Sequence, residues 1–309
     1  MTDFNLYHHL TRPAAVLRAS GTNALEFLQN HFASDLDNPG VEKPVTYGLW
    51  LDQNGKIQGD SFVLQQSVED FLLISYDCLP AHLLVHLRAH AQATSVNFRD
   101  ISSDFGLLHL WSNLPSAPLH EIVEEIAPTA QVESWLGRRP VLFNAWDLLG
   151  TSSSLEMLVD YMRENGAEAV GAEELLALRI IAGIAAVPLD AGPDDFPSET
   201  GLDHEGISFE KDNYVGKEAV MRLRAEEKSN RALWQIAWDI SATPTAGNEK
   251  LPLFLGQTKV GELRSRAKSR ERALGLAMLE IDSLSNEQSL SFSPGGSKVV
   301  SLVNDLTNS

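Results

Sequence analysis

The pattern of hydrophobic and polar positions in the first hundred residues predicts a strand, a helix, a hairpin, a strand and a second helix. Residues 13–18 are mostly apolar and predict the first strand, and residues 24–32 place apolar side chains on one helical face. An Asn-Gly pair at 54–55 lies between two alternating segments and favours the positive φ angles of a tight hairpin turn. A strand at 71–75 and a helix at about 79–91 follow. This order of elements is typical of an α+β unit.

The middle third of the chain predicts a second unit of the same kind. Its predicted elements are strands at 107–111 and 140–146 and helices at 153–163 and 173–182. Beyond about residue 230, short strands separated by turns predict a small closed or sandwiched all-β domain. These strands are at 232–240, 259–264, 274–279 and 298–303. We therefore expect an α+β protein with domains at 1–110, 111–228 and 229–309.

A chain of 309 residues with 43% hydrophobic and 21% charged residues has the composition of a soluble globular protein. No window approaches about eighteen consecutive apolar residues, so the sequence predicts no membrane-spanning helix. The first residues have neither a basic cluster nor an apolar core and do not resemble a signal peptide. The single cysteine, Cys78, excludes an internal disulfide and an all-cysteine metal cage. We expect a cytoplasmic protein.

The net charge of −18 limits the possible partners. Such an acidic surface repels phosphate backbones unless basic groups are concentrated locally. The main basic run, at 264–272, has a simpler interpretation as a solvated hairpin edge whose charges discourage aggregation. We therefore expect neither direct nucleic-acid binding nor binding to a membrane surface.

Two clusters of polar residues are candidate metal or acid–base sites. His82, His86 and His90 are spaced four residues apart on the predicted helix, and imidazoles at that spacing can share a metal ion. Because the leucines of the same helix form its apolar face, we favour a solvated face and predict no metal. The loop at 190–199 holds four carboxylates, and we favour a solvated turn for all of them except Glu199.

Two further places are candidates for ligand chemistry. The segment 201–218 combines glycine turns, an aromatic residue, lysines and carboxylates, a composition that suits a binding loop. Its alternative is a plain strand, turn and helix start. Asp60 follows the predicted hairpin turn and is a candidate acid, base or amine-orienting group. The alternative for Asp60 is a polar residue at a strand end that faces water.

Six short motifs are best considered together. They are Phe27-Leu-Gln-Asn-His-Phe-Ala-Ser-Asp35, Asn54-Gly-Lys-Ile57, Arg179-Ile-Ile-Ala-Gly183, Asp195-Phe-Pro-Ser-Glu199-Thr-Gly-Leu202, Ile207-Ser-Phe-Glu-Lys-Asp-Asn-Tyr-Val-Gly-Lys-Glu218 and Val260-Gly-Glu-Leu-Arg-Ser265. In this order they resemble the motifs of the YgfZ-like folate-binding proteins, which are relatives of the glycine-cleavage T-protein (aminomethyltransferase). The resemblance spans nearly the whole chain, and the order of motifs is more specific than any one of them.

The resemblance implies three domains around a central channel: two α+β units and a small C-terminal β-barrel. It also implies that tetrahydrofolate, or a derivative of it, is bound in that channel. The expected function is that of an accessory factor in iron–sulfur cluster assembly or repair, with iron–sulfur proteins as partners and an indirect effect on tRNA modification. The alternative is a tetrahydrofolate-dependent aminomethyl or methyl transferase with Asp60 as its polar catalyst. Whether the protein is an enzyme stays open.

The chain departs from both branches of this superfamily. Asn213 stands where the YgfZ-like motif has a cysteine, and an amide cannot form a thiolate or bind a cluster. Lys217 replaces a glutamine and is closer to the T-protein pattern. Ile181 replaces the T-protein glutamate that can pair with the pterin edge, so standard aminomethyl transfer is not expected.

The resemblance also implies which residues contact the ligand: Glu199, Lys211, Asn213, Tyr214 and Lys217. Glu199 would meet the pterin edge with Tyr214 packing beside it. Lys211 and Lys217 would meet the glutamate tail as cationic partners. The structural alternatives are that Tyr214 is a buried strand residue and that Lys211 pairs with Glu218.

Overall fold

The computed structural model describes residues 5–37, 45–91, 94–114, 119–137, 144–226, 229–242, 250–268, 272–284 and 289–308. The strands of these residues are β1 (Leu6–Thr11), β2 (Ala15–Ser20), β3 (Val45–Leu51), β4 (Ile57–Ser67), β5 (Asp70–Ser75), β6 (Asn97–Asp100), β7 (Gly106–Ser112), β8 (Glu133–Leu136), β9 (Asn144–Gly150), β10 (Glu168–Ala169), β11 (Arg231–Asp239), β12 (Leu251–Leu255), β13 (Thr258–Lys268), β14 (Arg272–Glu280), β15 (Ser289–Leu290) and β16 (Val300–Asp305). The α-helices are α1 (Ala24–His31), α2 (Pro80–Ala91), α3 (Leu119–Ala130), α4 (Ser152–Glu164), α5 (Ala172–Ile181), α6 (Asp203–Gly206), α7 (Lys217–Glu226) and α8 (Ile281–Leu284). Two α+β units and a C-terminal barrel-like sheet confirm the predicted fold class.

The first sheet is formed by residues 15–100 and has the strand order β3-β4-β5-β2-β6. All its neighbouring strands are antiparallel. Gly55 has a φ of 80° in the turn between β3 and β4, so the predicted hairpin is confirmed. Helices α1 and α2 cover one face of this sheet, where Phe27 and Leu83 pack in one core with Trp50.

The second sheet has the order β10-β1-β7-β9-β8 and includes β1, the first described strand. Helices α3 and α4 cover one of its faces. The hydrophobic pattern missed β1, which carries two adjacent histidines, and it missed α3, which contains Pro128. The predicted strand at 140–146 begins outside the described residues, and β9 continues to Gly150.

The remaining faces of the two sheets pack against each other. Phe62 and Ile74 of the first sheet share a core with Leu107, Trp135 and Leu149 of the second sheet. Because this core is shared, side chains at its edge come from both α+β units. The domain boundaries given above stay a prediction.

The third sheet forms the C-terminal domain and has the antiparallel order β12-β13-β14-β11-β16-β15. A bridge between Phe254 and Ser291 joins its two edges, so the sheet is nearly closed. The predicted all-β domain is therefore confirmed as barrel-like, although the pattern missed β12 and β15. Helix α5 packs on β13 and β14, where Ile180 lies in one core with Leu276.

Candidate functional site

The acidic loop between α5 and α6 is held by buried arginines. Arg179 donates to the Asp190 carboxylate over 2.5 Å and to the Ser265 hydroxyl over 2.7 Å. Arg264 donates to both oxygens of Asp195, over 2.5 and 3.0 Å. Asp190 is 0% exposed and Asp195 is 2% exposed. The interpretation of these two residues as a solvated turn is therefore wrong, as is that of Arg264 as a solvated hairpin edge.

Glu199 belongs to the same ion network. Arg231 donates to its two carboxylate oxygens over 3.0 and 2.7 Å, and the Phe196 amide donates to it over 2.9 Å. Glu199 also lines an open cleft of about 580 Å³, together with Lys56 of the first hairpin. The segment around Glu199 thus converges with this hairpin, but the Glu199 carboxylate already has a charged partner, Arg231.

Two lysines of the motif fix the turn before α7. The Lys211 amine is buried and donates to the carbonyl oxygens of Phe32 over 2.7 Å and of Ser34 over 2.9 Å. These carbonyls, rather than Glu218, are its partners. The Lys217 amine donates to the Lys211 carbonyl, and to that of the next residue over 3.1 Å. Lys211 therefore anchors this turn to the end of α1, whereas Lys217 bonds within the turn itself.

Lys211 gives a pH-dependent test of this anchor. Burial lowers the pKa of Lys211 from 10.5 to about 8. In that pH interval the unfolded chain binds the proton more tightly than the folded chain, so this residue makes stability rise with pH. In urea unfolding between pH 8 and 10, we expect the slope of unfolding free energy against pH to be less positive in Lys211→Met than in the wild type. The exposed control Lys268→Met should keep the wild-type slope, and equal slopes in both variants would contradict the buried amine.

Tyr214 and Asn213 have opposite environments. Tyr214 is 2% exposed and packs with Leu49 and Ile57, and its hydroxyl has no hydrogen-bond partner among the described residues. Burial raises the pKa of Tyr214 to about 12. Tyr214 is therefore a buried residue, as the structural alternative predicted. It lies in the turn before α7, however, and not in a strand. Asn213 is exposed.

Asp60 lies on β4 and is buried, so the interpretation that it faces water is wrong. It accepts hydrogen bonds from the Tyr47 and Ser75 hydroxyls, each over 3.0 Å. The Ser75 hydroxyl also accepts from the Cys78 amide over 3.1 Å. Burial, and then the charge of Asp60, raise the pKa of the Cys78 thiol to about 12, which makes this cysteine a poor nucleophile at neutral pH.

A cavity of about 230 Å³ lies next to the Asp60 network, at the edge of the shared core. We call it the inter-unit cavity. Its lining comes from β1, β7, α5 and the segments that follow β1, β5 and α5. Its lining includes Arg12, Asp77, Leu107, His109, Leu175 and Leu176. Tyr76, the residue after Ser75, also lines the cavity, so the Asp60 network adjoins this wall through Ser75.

The sequence pattern did not predict a buried His–Asp pair that lies beside this cavity. His109 Nδ1 and Asp147 Oδ1 are 2.5 Å apart, and the two residues are 2% and 0% exposed. Burial raises the pKa of Asp147 well above its usual value. The signal in the sequence is one histidine and one aspartate in the middle of otherwise apolar strands, each a costly residue to bury without a partner.

The histidines of α2 are less exposed than predicted. His82 is exposed, but His86 and His90 are half-buried, and the His90 ring contacts His31 of α1. The interpretation of a solvated face is wrong for these two residues. In the part of the chain that the structure describes, no group of three or more His, Cys, Asp or Glu side chains could hold a metal ion. No helix among the described residues is long and apolar enough to cross a membrane.

The structure therefore brings Lys211 and Lys217 together at the end of α1, whereas Glu199 and Asp60 lie elsewhere. Glu199 lines the cleft beside the barrel, and Asp60 is bonded to Ser75, which precedes the Tyr76 wall of the inter-unit cavity. Of these places, the inter-unit cavity is the one lined by both α+β units.

Comparisons with known proteins agree with this architecture. A family model described as the GCVT N-terminal domain matches residues 14–131. A "tRNA-modifying protein YgfZ" from Escherichia coli O139:H28 (strain E24377A / ETEC) is 33% identical over 254 residues, covering 79% of this chain and 75% of that protein. One of the same name from Shigella boydii serotype 4 (strain Sb227) is 26% identical over 254 residues, with the same coverage of 79% and 75%.

A solved structure also resembles this chain. It is the glycine cleavage system aminomethyltransferase T from Bartonella henselae, with a TM-score of 0.74 and 15% identity. The match covers 97% of this chain and 86% of that chain. At this identity the likeness concerns the fold alone.

Proposed function

The chain belongs to the YgfZ-like family of the glycine-cleavage T-protein superfamily, and we propose that it binds a reduced folate in the inter-unit cavity. The cavity itself is the observation that best supports this proposal. It combines apolar walls with an equal number of polar or charged side chains in about 230 Å³. Small-molecule sites also combine apolar and polar lining, at roughly 300–1,000 Å³ for a complete ligand. The ring system of a folate would therefore fill the cavity, and the tail would extend from its opening.

The lining suits a pterin. A pterin is a flat ring system with N–H donors along one edge. Leu107, Leu175 and Leu176 provide apolar surface for its faces, and Asp77 provides a carboxylate that can accept from the donor edge. Charge-assisted hydrogen bonds of this kind fix the orientation of a ring as well as its position.

The tail of a folate ends in a glutamate and needs a cation. Arg12 lines the cavity and is exposed, and it makes no hydrogen bond or ion pair with any described residue. Its planar guanidinium can bind a carboxylate through two parallel hydrogen bonds. We therefore assign the tail to the Arg12 side of the cavity.

The residues that the resemblance implied stay a prediction: Glu199, Lys211, Asn213, Tyr214 and Lys217. We propose that the two lysines act indirectly, because the Lys211 amine holds the turn against the end of α1 and the Lys217 amine bonds to carbonyls of the turn itself. Direct contact between Glu199 and a pterin edge would require its ion pair with Arg231 to open.

Removing the Asp77 carboxylate tests the folate proposal. We expect Asp77→Ala to weaken binding of 5-formyltetrahydrofolate about 10- to 100-fold, because hydrogen bonds to charged groups contribute about 1.5–3 kcal/mol. Isothermal titration calorimetry gives the dissociation constants. The matched control is Glu156→Ala, an exposed carboxylate on α4, which should bind as the wild type does. No detectable binding by the wild type would overturn the proposal.

We further propose that the folate-bound protein is an accessory factor in iron–sulfur cluster assembly or repair. Two relatives are named tRNA-modifying proteins, whereas a net charge of −18 opposes direct contact with tRNA. An indirect route through iron–sulfur enzymes reconciles these two observations. The test measures the amount of those tRNA modifications that iron–sulfur enzymes make, in cells with and without the protein. Equal content in both would contradict this role.

A one-carbon transferase is the second candidate, because the buried Asp60 carboxylate is bonded to Ser75, the residue directly before the cavity-lining Tyr76. A buried carboxylate at that place can orient an amine donor. The assay is transfer of a one-carbon group to tetrahydrofolate from amine and sulfonium donors. Turnover by the wild type that is lost in Asp60→Asn, with 5-formyltetrahydrofolate binding retained, would favour the transferase over the accessory factor.

A further inference from the structure

The buried histidine–aspartate pair at the inter-unit cavity has no part in the folate contacts proposed above. His109 of β7 lies directly opposite His9 of β1 and Asp147 of β9 in the antiparallel register. Directly opposite residues share one face of a sheet, so these three side chains form a row across it. His9 and His109 both line the cavity, and Asp147 is bonded to His109.

The alternation of side chains along the strands places this pair toward the first unit. Leu108 of β7 and Leu148 of β9 belong to the core under α3 and α4. Successive side chains of a strand point to opposite faces, so the neighbouring His109 and Asp147 lie on the other face of the sheet. Leu107, two residues before His109, belongs to the core that the two units share. The pair therefore lies at the edge of that shared core, beside the cavity.

Three neighbouring side chains fix the His109 ring. Its Nδ1 lies 2.5 Å from Asp147 Oδ1. The His9 ring stacks on it with a centre-to-centre distance of 6.2 Å and an angle of 16°. The Tyr76 ring meets it edge-on, with the centres 5.5 Å apart and an angle of 89°. Because Asp147 engages Nδ1, Nε2 is the ring nitrogen that a ligand in the cavity can reach.

The surroundings of Asp147 determine how many hydrogens the pair carries. Asp147 is 0% exposed, and its Oδ2 has no hydrogen-bond partner among the described residues. The Gly137 backbone packs against this carboxyl group, since an added Cβ there would lie 2.8 Å from the carboxyl carbon. Burial disfavours a net negative charge and raises the pKa of Asp147 well above its usual value. The pair is therefore neutral overall and holds two hydrogens.

A neutral pair presents a hydrogen-bond donor to the cavity. One of the two hydrogens lies between Asp147 Oδ1 and His109 Nδ1 and belongs to both residues. The other is then on Nε2, whether the ring is neutral or an imidazolium. We propose that His109 Nε2–H donates to a ring carbonyl of the ligand in the inter-unit cavity, with Asp147 as the positioning residue. This inference rests on the proposed binding of a folate.

Such a donor selects one kind of ring. A pterin has a carbonyl oxygen at its 4-position, next to the N–H donors that the Asp77 carboxylate would meet. The cavity thus offers an acceptor, Asp77, and a donor, His109, to a ring edge that carries both kinds of group. A ring with an amino group at the 4-position would turn a donor toward Nε2–H. Sites built to hydrogen-bond one group reject an analogue that lacks it, because their own polar atoms are then left unpaired.

The test compares 5-formyltetrahydrofolate with its 4-amino-4-deoxy analogue, in which an amino group replaces the ring carbonyl. Isothermal titration calorimetry with the full-length protein gives both dissociation constants. We expect the wild type to bind the 4-oxo compound at least about tenfold more tightly. His109→Gln should keep this preference, because its amide can also donate, whereas His109→Met should lose it. If His109→Met does not fold, His109→Met combined with Asp147→Leu replaces it, since that variant leaves no carboxyl group buried alone.

The control variant is His120→Met, an exposed histidine on α3, which should keep the wild-type preference. Far-UV circular dichroism of each variant establishes that it is folded. An unchanged preference in folded His109→Met would overturn this inference and leave the folate proposal standing. A wild type that binds neither compound would overturn both.

The role of Asp147 has a test that needs no ligand. Two-bond ¹H–¹⁵N spectra show which imidazole nitrogen bears a hydrogen, and the His109 signals are those lost in His109→Gln. We expect a hydrogen on His109 Nε2 at neutral pH, together with a strongly downfield signal from the hydrogen shared with Asp147. Asp147→Leu should remove the downfield signal and weaken the preference for the 4-oxo compound. A wild-type Nε2 without hydrogen would overturn the inference, because His109 would then be an acceptor.

Discussion

Replacing Arg264 by methionine is expected to lower the free energy of unfolding by about 3–5 kcal/mol, because it removes the buried cation of the buried Asp195 carboxylate and leaves only the partly exposed Arg231, 3.2 Å away. Arg264 donates two hydrogen bonds to Asp195 and one, over 2.7 Å, to the Asp190 carbonyl oxygen. The side chains of Arg264 and Asp195 are each only 3% exposed. Water therefore cannot replace the arginine without opening the contact between the acidic loop and the barrel.

Urea unfolding at neutral pH, followed by circular dichroism, measures this change. The matched control is Arg272→Met, an exposed arginine at the start of the neighbouring strand, for which we expect a change near zero. Pairing Arg264→Met with Asp195→Leu should recover part of the loss, because neither charge is then buried alone. A loss below about 1 kcal/mol in the single variant would show that the pair is solvated.

The contribution of the Arg264–Asp195 pair to the free energy of unfolding depends on pH. Burial alone would raise the pKa of Asp195, but the hydrogen bonds and charge of Arg264 outweigh burial, and the pKa lies below its usual value of 3.8. The stability from the pair is therefore fully present above this value and is lost as the pH falls through the folded-state pKa. The difference in free energy of unfolding between the wild type and Arg264→Met should therefore decrease over the same acidic pH range.

The ion network explains why the sequence could not assign the acidic loop. Asp195 and its partner Arg264 are 69 residues apart, and Glu199 and Arg231 are 32 residues apart. Sequence patterns describe neighbours along a helix or strand, so they contain no information on which distant cation meets which carboxylate. A carboxylate in a proline-rich loop is therefore predicted to be solvated unless the tertiary partner is known.

Most of the fold was predictable, because turn chemistry and hydrophobic periodicity act locally. The Asn-Gly turn at 54–55 and the strands of the barrel are examples. Strand β1 was not predictable in this way, since its buried His8 breaks the apolar alternation. Helix α3 was missed because Pro128, which elsewhere ends helices, lies inside its last turn.

The site was predictable only in part. The order of motifs indicated a folate-binding family, and the motif around Glu199 does reach the first hairpin. The inter-unit cavity was not predictable, because its walls come from β1, β7, α5 and the segment after β5. Such a site exists only once two sheets have packed, and no single stretch of the chain contains it.

Gly216 connects the signature motif to the hairpin, and we expect Gly216→Ala to lower the free energy of unfolding by about 2–5 kcal/mol. Its φ is 87°, a conformation that costs a residue with a side chain about 1–2 kcal/mol. An added Cβ would also lie 2.5 Å from the Asp52 carbonyl oxygen and 3.0 Å from Gly55 Cα. Both neighbours are backbone atoms of the hairpin, so relieving the clash would separate α7 from this turn, at about 1–3 kcal/mol.

Gly256 provides a control that separates these two causes. Its φ is 60°, but an added Cβ there would meet nothing within 4 Å. Gly256→Ala should therefore show the backbone effect alone, about 1–2 kcal/mol, in the same urea unfolding experiment. The additional loss of unfolding free energy in Gly216→Ala, compared with Gly256→Ala, measures the cost of the steric clash between the motif and the hairpin. Equal losses in the two variants would mean that the hairpin can move away freely, and that the motif does not depend on this contact.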